Sequence, residues 1–191
     1  MKQVFLDVET SGLSTYNNGI WQLSAIIVID GKEYERFNEK CKLFPGQEWD
    51  IETAGMFEEA YAAYETFPEP QTVFNKLEAF LKTYINPFDR NDKALMYGYN
   101  VKYDEGFIRK FWKNNNNNFF GSWFCTPSID IMSLAAERLK EVRSQMPNFK
   151  LGTVANYLDI EINEDRLHDA MYDTELTYQI YQLVTNEQKS K

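Results

Sequence analysis

Five side chains of this 191-residue sequence could share one piece of chemistry: Asp7, Glu9, Asp104, His168 and Asp173. Asp7 and Glu9 end a stretch in which Val4, Leu6 and Val8 alternate with Phe5, Asp7 and Glu9. On a strand, residues two apart leave the same face, so both carboxylates can approach one point. Thr10-Ser11-Gly12 follows, with a small residue that would let the chain turn away. Each segment alone has a plain structural explanation. Asp7 and Glu9 could be a solvated strand end, Asp104 an acid favoured by the dipole of a helix start, and Asn100 a turn or cap residue. His168 is the single histidine, five residues before Asp173. On one continuous helix the two would stand about 140° apart. They converge only if His168 belongs to the loop before the helix, which leaves Asp169 as the cap with no chemistry of its own.

Gathered together, Asp7, Glu9, Asp104 and Asp173 would put four negative charges in one small site. Unit charges 4 Å apart repel by about 1 kcal/mol even in water and by several at lower effective dielectric. Such a cluster needs cations, and an all-oxygen donor set suits Mg²⁺ or Mn²⁺ rather than zinc. Two such ions about 3.5–4 Å apart suit in-line displacement at phosphorus. With a reference pKa of about 6.5, His168 suits deprotonation of an attacking water near neutral pH.

The elements that must position these residues are legible as a series. A strand is expected over 2–9 and a second over 21–29. Asp30-Gly31 signals a tight turn, and 33–44 returns as a hairpin partner. The patterning then predicts a short helix near 55–65 and a helix over 70–85, stopped by Asn86-Pro87. A strand over 93–98, a helix over 104–112, a polar five-asparagine loop at 114–118 and a short strand at 124–126 come next. Helices over about 128–143, 151–158 and 169–185 complete the chain. Strands first and then strands alternating with helices predict one α/β domain over 1–191, with a mixed sheet covered by helices.

Composition sets bounds. Leu, Ile, Val and Phe make up 48 of the residues, enough for a packed core. The longest apolar run, 25–29, is far below the roughly 20 residues a membrane-spanning helix needs, and Asp7 comes too early for a secretory leader. A cytoplasmic location without membrane attachment is the expectation. Cys41 and Cys125 make neither a metal pattern nor a disulfide scaffold. The net charge of −9 argues against broad electrostatic coating of nucleic acid. It leaves a local phosphate site open, because bound divalent cations reverse the sign of an acidic cleft.

Three separated motifs resemble, in order and spacing, the DEDDh family of 3′–5′ exonucleases, on the branch of bacterial proofreading subunits. They are Asp7-Val8-Glu9-Thr10-Ser11-Gly12-Leu13, then Asn100-Val101-Lys102-Tyr103-Asp104 with Phe107-Ile108, then His168-Asp169-Ala170-Met171-Tyr172-Asp173. Leu151-Gly152-Thr153-Val154-Ala155 and the segment around Asp130 resemble the helices leading to the third motif. The resemblance implies an RNase H-like mixed sheet of about five strands, an antiparallel hairpin and then parallel strands, flanked by helices. It implies two Mg²⁺ or Mn²⁺ ions held by Asp7, Glu9, Asp104 and Asp173, with His168 as general base. Thr10, Leu13, Asn100 and Tyr103 would line the terminal-nucleotide pocket, Leu13 as an apolar wedge indifferent to base identity. The segment 51–57 matches the family's pocket-shaping stretch poorly, so the pocket between 45 and 65 is left open.

Basic residues Lys102, Arg109, Lys110 and Lys113 flank the second motif, and Arg138, Lys140, Arg143 and Lys150 precede the third. Arg143 and Lys150 are the better candidates for tracking a phosphate backbone. The activity implied is hydrolysis of the 3′-terminal phosphodiester of single-stranded or frayed DNA, releasing nucleoside 5′-monophosphates, with a polymerase or another replication or repair protein as possible partner. The alternatives are an RNA-directed exoribonuclease or oligoribonuclease, or a polymerase-docked nucleic-acid-binding subunit. A structural Ca²⁺ domain would need a dense acidic loop with glycine, which is missing.

Overall fold

The alternation at the start of the chain builds the middle of the molecule. In the computed structural model, which describes residues 1–185, β1 (Lys2–Thr10) is the central strand of a five-stranded mixed sheet. β2 (Ile20–Ile29) and β3 (Lys32–Lys40) follow antiparallel, while β4 (Leu95–Gly98) and β5 (Ile129–Asp130) join parallel to β1, in the order β3-β2-β1-β4-β5. Asp30 and Gly31 both take positive φ, 52° and 79°, the geometry a two-residue hairpin turn demands.

Seven helices flank the sheet among the described residues: α1 (Ile51–Met56), α2 (Glu58–Ala63), α3 (Pro70–Tyr84), α4 (Val101–Asn114), α5 (Ile131–Arg138), α6 (Leu151–Tyr157) and α7 (Ala170–Thr185). None is long and apolar enough to cross a membrane. The two faces of β1 found two cores. Val4, Leu6 and Val8 pack with Phe74 and Leu77 of α3 and Phe107, Ile108 and Trp112 of α4. On the other face Phe5 meets Ile131 of α5, Val154 of α6, and Leu176 and Ile180 of α7. Each such fully buried side chain contributes roughly 1.5–3 kcal/mol relative to exposure.

Several boundaries depart from the sequence expectations, and remote side chains explain most of them. The helix expected over 104–112 begins at Val101, because Asp130 Oδ1 accepts from the Asn100 and Val101 N–H groups at 2.9 and 3.4 Å. The same oxygen caps α5 through Met132 N. The helix expected near 55–65 starts at 51 and breaks at Phe57, which leaves helical geometry to pack its ring on Trp21. The helix expected to 143 ends at Arg138, where Leu139 and then Met146 turn into the second core. Phe124 makes one isolated bridge to Ala94, and the strand lies at Ile129–Asp130 instead of 124–126. β3 stops at Lys40 and β4 starts at Leu95, both inside the expected spans.

Candidate active site

The acidic end of β1 lies on the Phe5 face, and α7 crosses above it because two polar residues interrupt the apolar run of β2. Ser24 faces Asp7 across the ladder, and its hydroxyl donates to Ala170 O at 2.7 Å while sharing a 2.6 Å hydrogen bond with Thr174. Gln22 faces Glu9 and donates to Asp169 Oδ2 at 2.9 Å. Asp169 Oδ1 in turn accepts from Tyr172 N, an N-terminal cap of α7. These bonds set Asp173 over Glu9. A register shift between Glu9 and Thr10 ends the regular ladder beside them, a common device next to functional sites.

His168 lies in the loop before α7, as its five-residue separation from Asp173 requires, with φ at 69°. Its N–H donates to Asp173 Oδ2 at 3.3 Å. One ligand atom each from Glu9, His168 and Asp173 lie within 4.8 Å of one another. Asp104, in the first turn of α4, is buried and accepts from Val8 N at 3.2 Å, so it enters from the other side of β1 next to Asp7. All five residues singled out by type and spacing therefore meet at one end of β1.

Burial and mutual repulsion push protons onto this cluster. Burial first, then the charges of Asp104, Glu9 and Asp173, hold the Asp7 carboxyl well above the usual range. Burial and the neighbouring Asp173 and Asp104 raise Glu9 to about 9. Asp104 is pushed up to about 8, chiefly by burial and against the hydrogen bond from Val8. Asp173 is pushed up to about 7, chiefly by burial. Asp173 Oδ1 is buried and has no hydrogen-bond partner. A carboxylate oxygen buried without a donor is expensive unless a cation meets it. The donor chemistry, hard oxygens with one imidazole at the rim, fits Mg²⁺ or Mn²⁺.

The residues expected around a terminal nucleotide divide into two kinds. Thr10 and Tyr103 form one hydrogen-bonded unit, 2.7 Å between hydroxyls and 2.8 and 3.2 Å from Gly12 O, in which one hydroxyl donates to the other and the second donates to that carbonyl. Leu13 is 82% exposed, so it packs in neither core and is free to meet a base. Asn100 is exposed at φ 59°, at the N-cap of α4 without a side-chain cap bond. Gly12 needs no unusual φ; a Cβ there would collide with the carboxylate of Asp50 and with Asn18, so what it supplies is room rather than a turn.

Four of the eight basic residues considered for phosphate contact are otherwise engaged. Lys102 and Arg109 both pair with Glu105 at 2.7 Å, and the Arg109 guanidinium lies 4.1 Å from the Phe120 ring centroid. Lys140 pairs with Glu137, and Arg143 stacks over Phe149. Lys110, Lys113 and Arg138 make no ion pair among the described residues. Lys150 borders a cleft of about 200 Å³ that reaches His168 and Asp173. The segment 51–57, open at the level of sequence, brings Phe57 edge-on to the His168 ring, with centroids 6.4 Å apart. Gln22, Ser24 and Phe57 had no assigned part in the site. The two polar residues at alternate positions in an apolar strand were the available signal.

Comparison with known proteins adds three findings. The exonuclease (RNase_T) family model matches residues 4–181. The chain is 31% identical over 179 residues to the DNA polymerase III PolC-type of Bacillus cereus, covering 91% of this chain but 11% of that one. The chain thus spans about a tenth of the length of these curated relatives. Among solved structures, E. coli exonuclease I in complex with a dT13 oligonucleotide superposes with a TM-score of 0.77 at 19% identity, over 98% of this chain and 41% of that one. That likeness shows the fold: the mixed five-stranded sheet with flanking helices is the RNase H-like α/β arrangement of these exonucleases.

Proposed function

The chain belongs to the exonuclease family, and from that premise we propose that it is a metal-dependent 3′–5′ exonuclease acting on single-stranded or frayed DNA. The observation that carries this reading is the convergence of Glu9, His168 and Asp173 within 4.8 Å, beside Asp7 and Asp104. DNA rather than RNA is supported by the PolC-type relatives and by the oligonucleotide held by exonuclease I. A polymerase is the partner class we favour, since in the relatives the matched stretch is part of a polymerase chain.

In this reading Asp7, Glu9, Asp104 and Asp173 hold two Mg²⁺ or Mn²⁺ ions. The ions, when bound, supply charge stabilisation for the attacking and leaving oxygens of the displacement. An imidazole nitrogen of His168 takes the proton of the attacking water as the O–P bond forms. The P–O3′ bond breaks, the leaving 3′-oxygen takes a proton from solvent, and the product is a nucleoside 5′-monophosphate. The Thr10–Tyr103 pair fixes the wall of the terminal pocket, and Leu13 presents an apolar edge to the bases. The His168 ring also lies close enough to Glu9 and Asp173 to serve as a ligand; metal affinity of His168→Ala separates that role from the base.

The direct test uses 5′-labelled DNA and RNA strands of matched sequence, with Mg²⁺ or Mn²⁺ against EDTA and an Asp7→Ala control. A metal-dependent ladder shortening from the 3′ end, faster on DNA, is the expected result. Faster shortening of RNA would transfer the assignment to an exoribonuclease. Intact strands in the presence of folded, metal-loaded protein would leave a docked binding subunit.

A further inference from the structure

His168 sits at φ 69°, a left-handed conformation that an L residue adopts only at a cost, so its surroundings must hold it there. The turn that delivers it, residues 163–168, carries a short 3₁₀ segment, Glu164–Arg166, closed by its own backbone hydrogen bonds, and is tied to α7 by His168 N–H donating to Asp173 Oδ2. One buried residue of α7 holds that turn at both ends. The Tyr172 hydroxyl accepts from Asn163 N at 2.7 Å, at the entrance of the turn. The Arg166 guanidinium lies 4.3 Å from the centroid of the Tyr172 ring and 3.8 Å from Glu175 one turn further along α7. Tyr172 N is itself fixed by the Asp169 cap, immediately after His168. On the opposite side, Leu167 lies over Gly152 of α6, where an added Cβ would come within 3.1 Å of Leu167 Cδ1.

We propose that Tyr172 is a positioning residue for His168: by pinning the 163–168 turn to α7, with Gly152 leaving space for Leu167, it holds the imidazole at the acids of β1. The proposal rests on the reading of His168 as general base. A regular helix cannot put His168 and Asp173 on one face, so the base must come from a turn, and a turn needs an anchor. Tyr172 provides it one residue away from Asp173, so the base and one of the acids share a single support.

The test is a double-mutant cycle on the Mg²⁺-loaded protein, read as single-turnover and steady-state rates on a 5′-labelled DNA strand. Tyr172→Phe keeps the ring and removes only the hydroxyl. We expect kcat to fall about tenfold, the scale of one lost hydrogen bond, with KM unchanged within about twofold. In a His168→Ala background the same substitution should cost nothing further, because the group it positions is gone. Gly152→Ala, which displaces Leu167, should show the same loss and the same non-additivity, and decides alone if Tyr172→Phe does not fold. A tenfold loss that persists in the His168→Ala background overturns the proposal, as does a Tyr172→Phe protein as fast as wild type. A His168→Ala protein as fast as wild type overturns the base assignment and the positioning role together. A slow His168→Ala with a fast Tyr172→Phe overturns the positioning role alone.

Discussion

Two adjacent residues of α4 carry carboxylates that are both buried, and their surroundings treat them in opposite ways. Glu105 is met by Lys102, Arg109 and Ser128, each within 2.9 Å. Burial raises its pKa, but those three partners more than reverse the effect and hold it at about 2. Asp104, one residue earlier, has the Val8 N–H and otherwise faces other acids, and it is pushed up to about 8. Glu105 is a satisfied structural acid that joins α4 to the segment before β5. The Asp104 side is a deficit of positive charge built into a rigid frame, which is what a cation site requires before the cation arrives. The contrast teaches that burial alone does not mark a functional acid; burial among other acids without a cationic partner does.

The largest effect that could break this comparison is at Asp104 and Asp7. Asp7→Ala and Asp104→Asn should lower turnover by at least about 10³-fold, the scale of lost electrostatic stabilisation. In EDTA above about pH 8, Asp104→Asn should at the same time melt higher than wild type, because it removes a buried carboxyl that would ionise among other acids. A lower Tm there would mean the cluster is not strained without metal. Next in size is His168→Ala, expected to slow the reaction about 10²–10³-fold as loss of a general base, with Mn²⁺ affinity by calorimetry nearly unchanged. A large loss of affinity would make the imidazole a ligand instead.

The pH dependence of stability should have opposite signs for the two sets of acids. In the folded chain Glu9, Asp104 and Asp173 keep protons up to about 9, 8 and 7, whereas unfolded carboxyls lose them near 4. The folded state therefore binds more protons over that window, and metal-free protein should lose stability as pH rises from about 4 towards 9. Added Mg²⁺ should flatten the curve, and a Tm that rises over this range in EDTA would contradict it. Glu105 works the other way: its stabilisation is present above the unfolded value near 4.5 and is lost as pH falls towards 2. Glu105→Gln should cost about 1–3 kcal/mol at pH 7, a gap that closes in acid, with turnover nearly intact. Smallest of all, Leu13→Ala should raise KM a few-fold and leave Tm unchanged, measured on strands of mixed sequence.

The residues of the site were legible in the sequence because two of their constraints are local. Period-two alternation puts Asp7 and Glu9 on one face, and helical geometry forces His168 into a loop. The sheet was legible for the same reason, through alternation and the Asp30-Gly31 turn. What was hidden depends on partners distant in sequence. Asp130 decides where α4 begins, Ser128 decides that Glu105 is satisfied, and Ser24 and Gln22 decide where α7 lies. The pairing of Lys102 and Arg109 with Glu105 is the exception, since its i,i+3 and i,i+4 spacings within one helix were there to be read. Period and propensity give no information on the long-range pairings of Asp130, Ser128, Ser24 and Gln22, so helix ends were the parts misplaced.

The acids of the site come from residues 7, 9, 104 and 173, and α7 packs on β1 and β2, which precede it by more than a hundred residues. Translation therefore delivers the halves of the site far apart in time. A nascent chain that has emerged as far as α6 carries the first three acids with neither His168 nor Asp173. Assembly of the centre waits for the docking of the last described helix, a long-range closure and so a late event in folding. A chain stopped before α7 would hold no complete site at all, so whatever the cluster binds must wait for that helix.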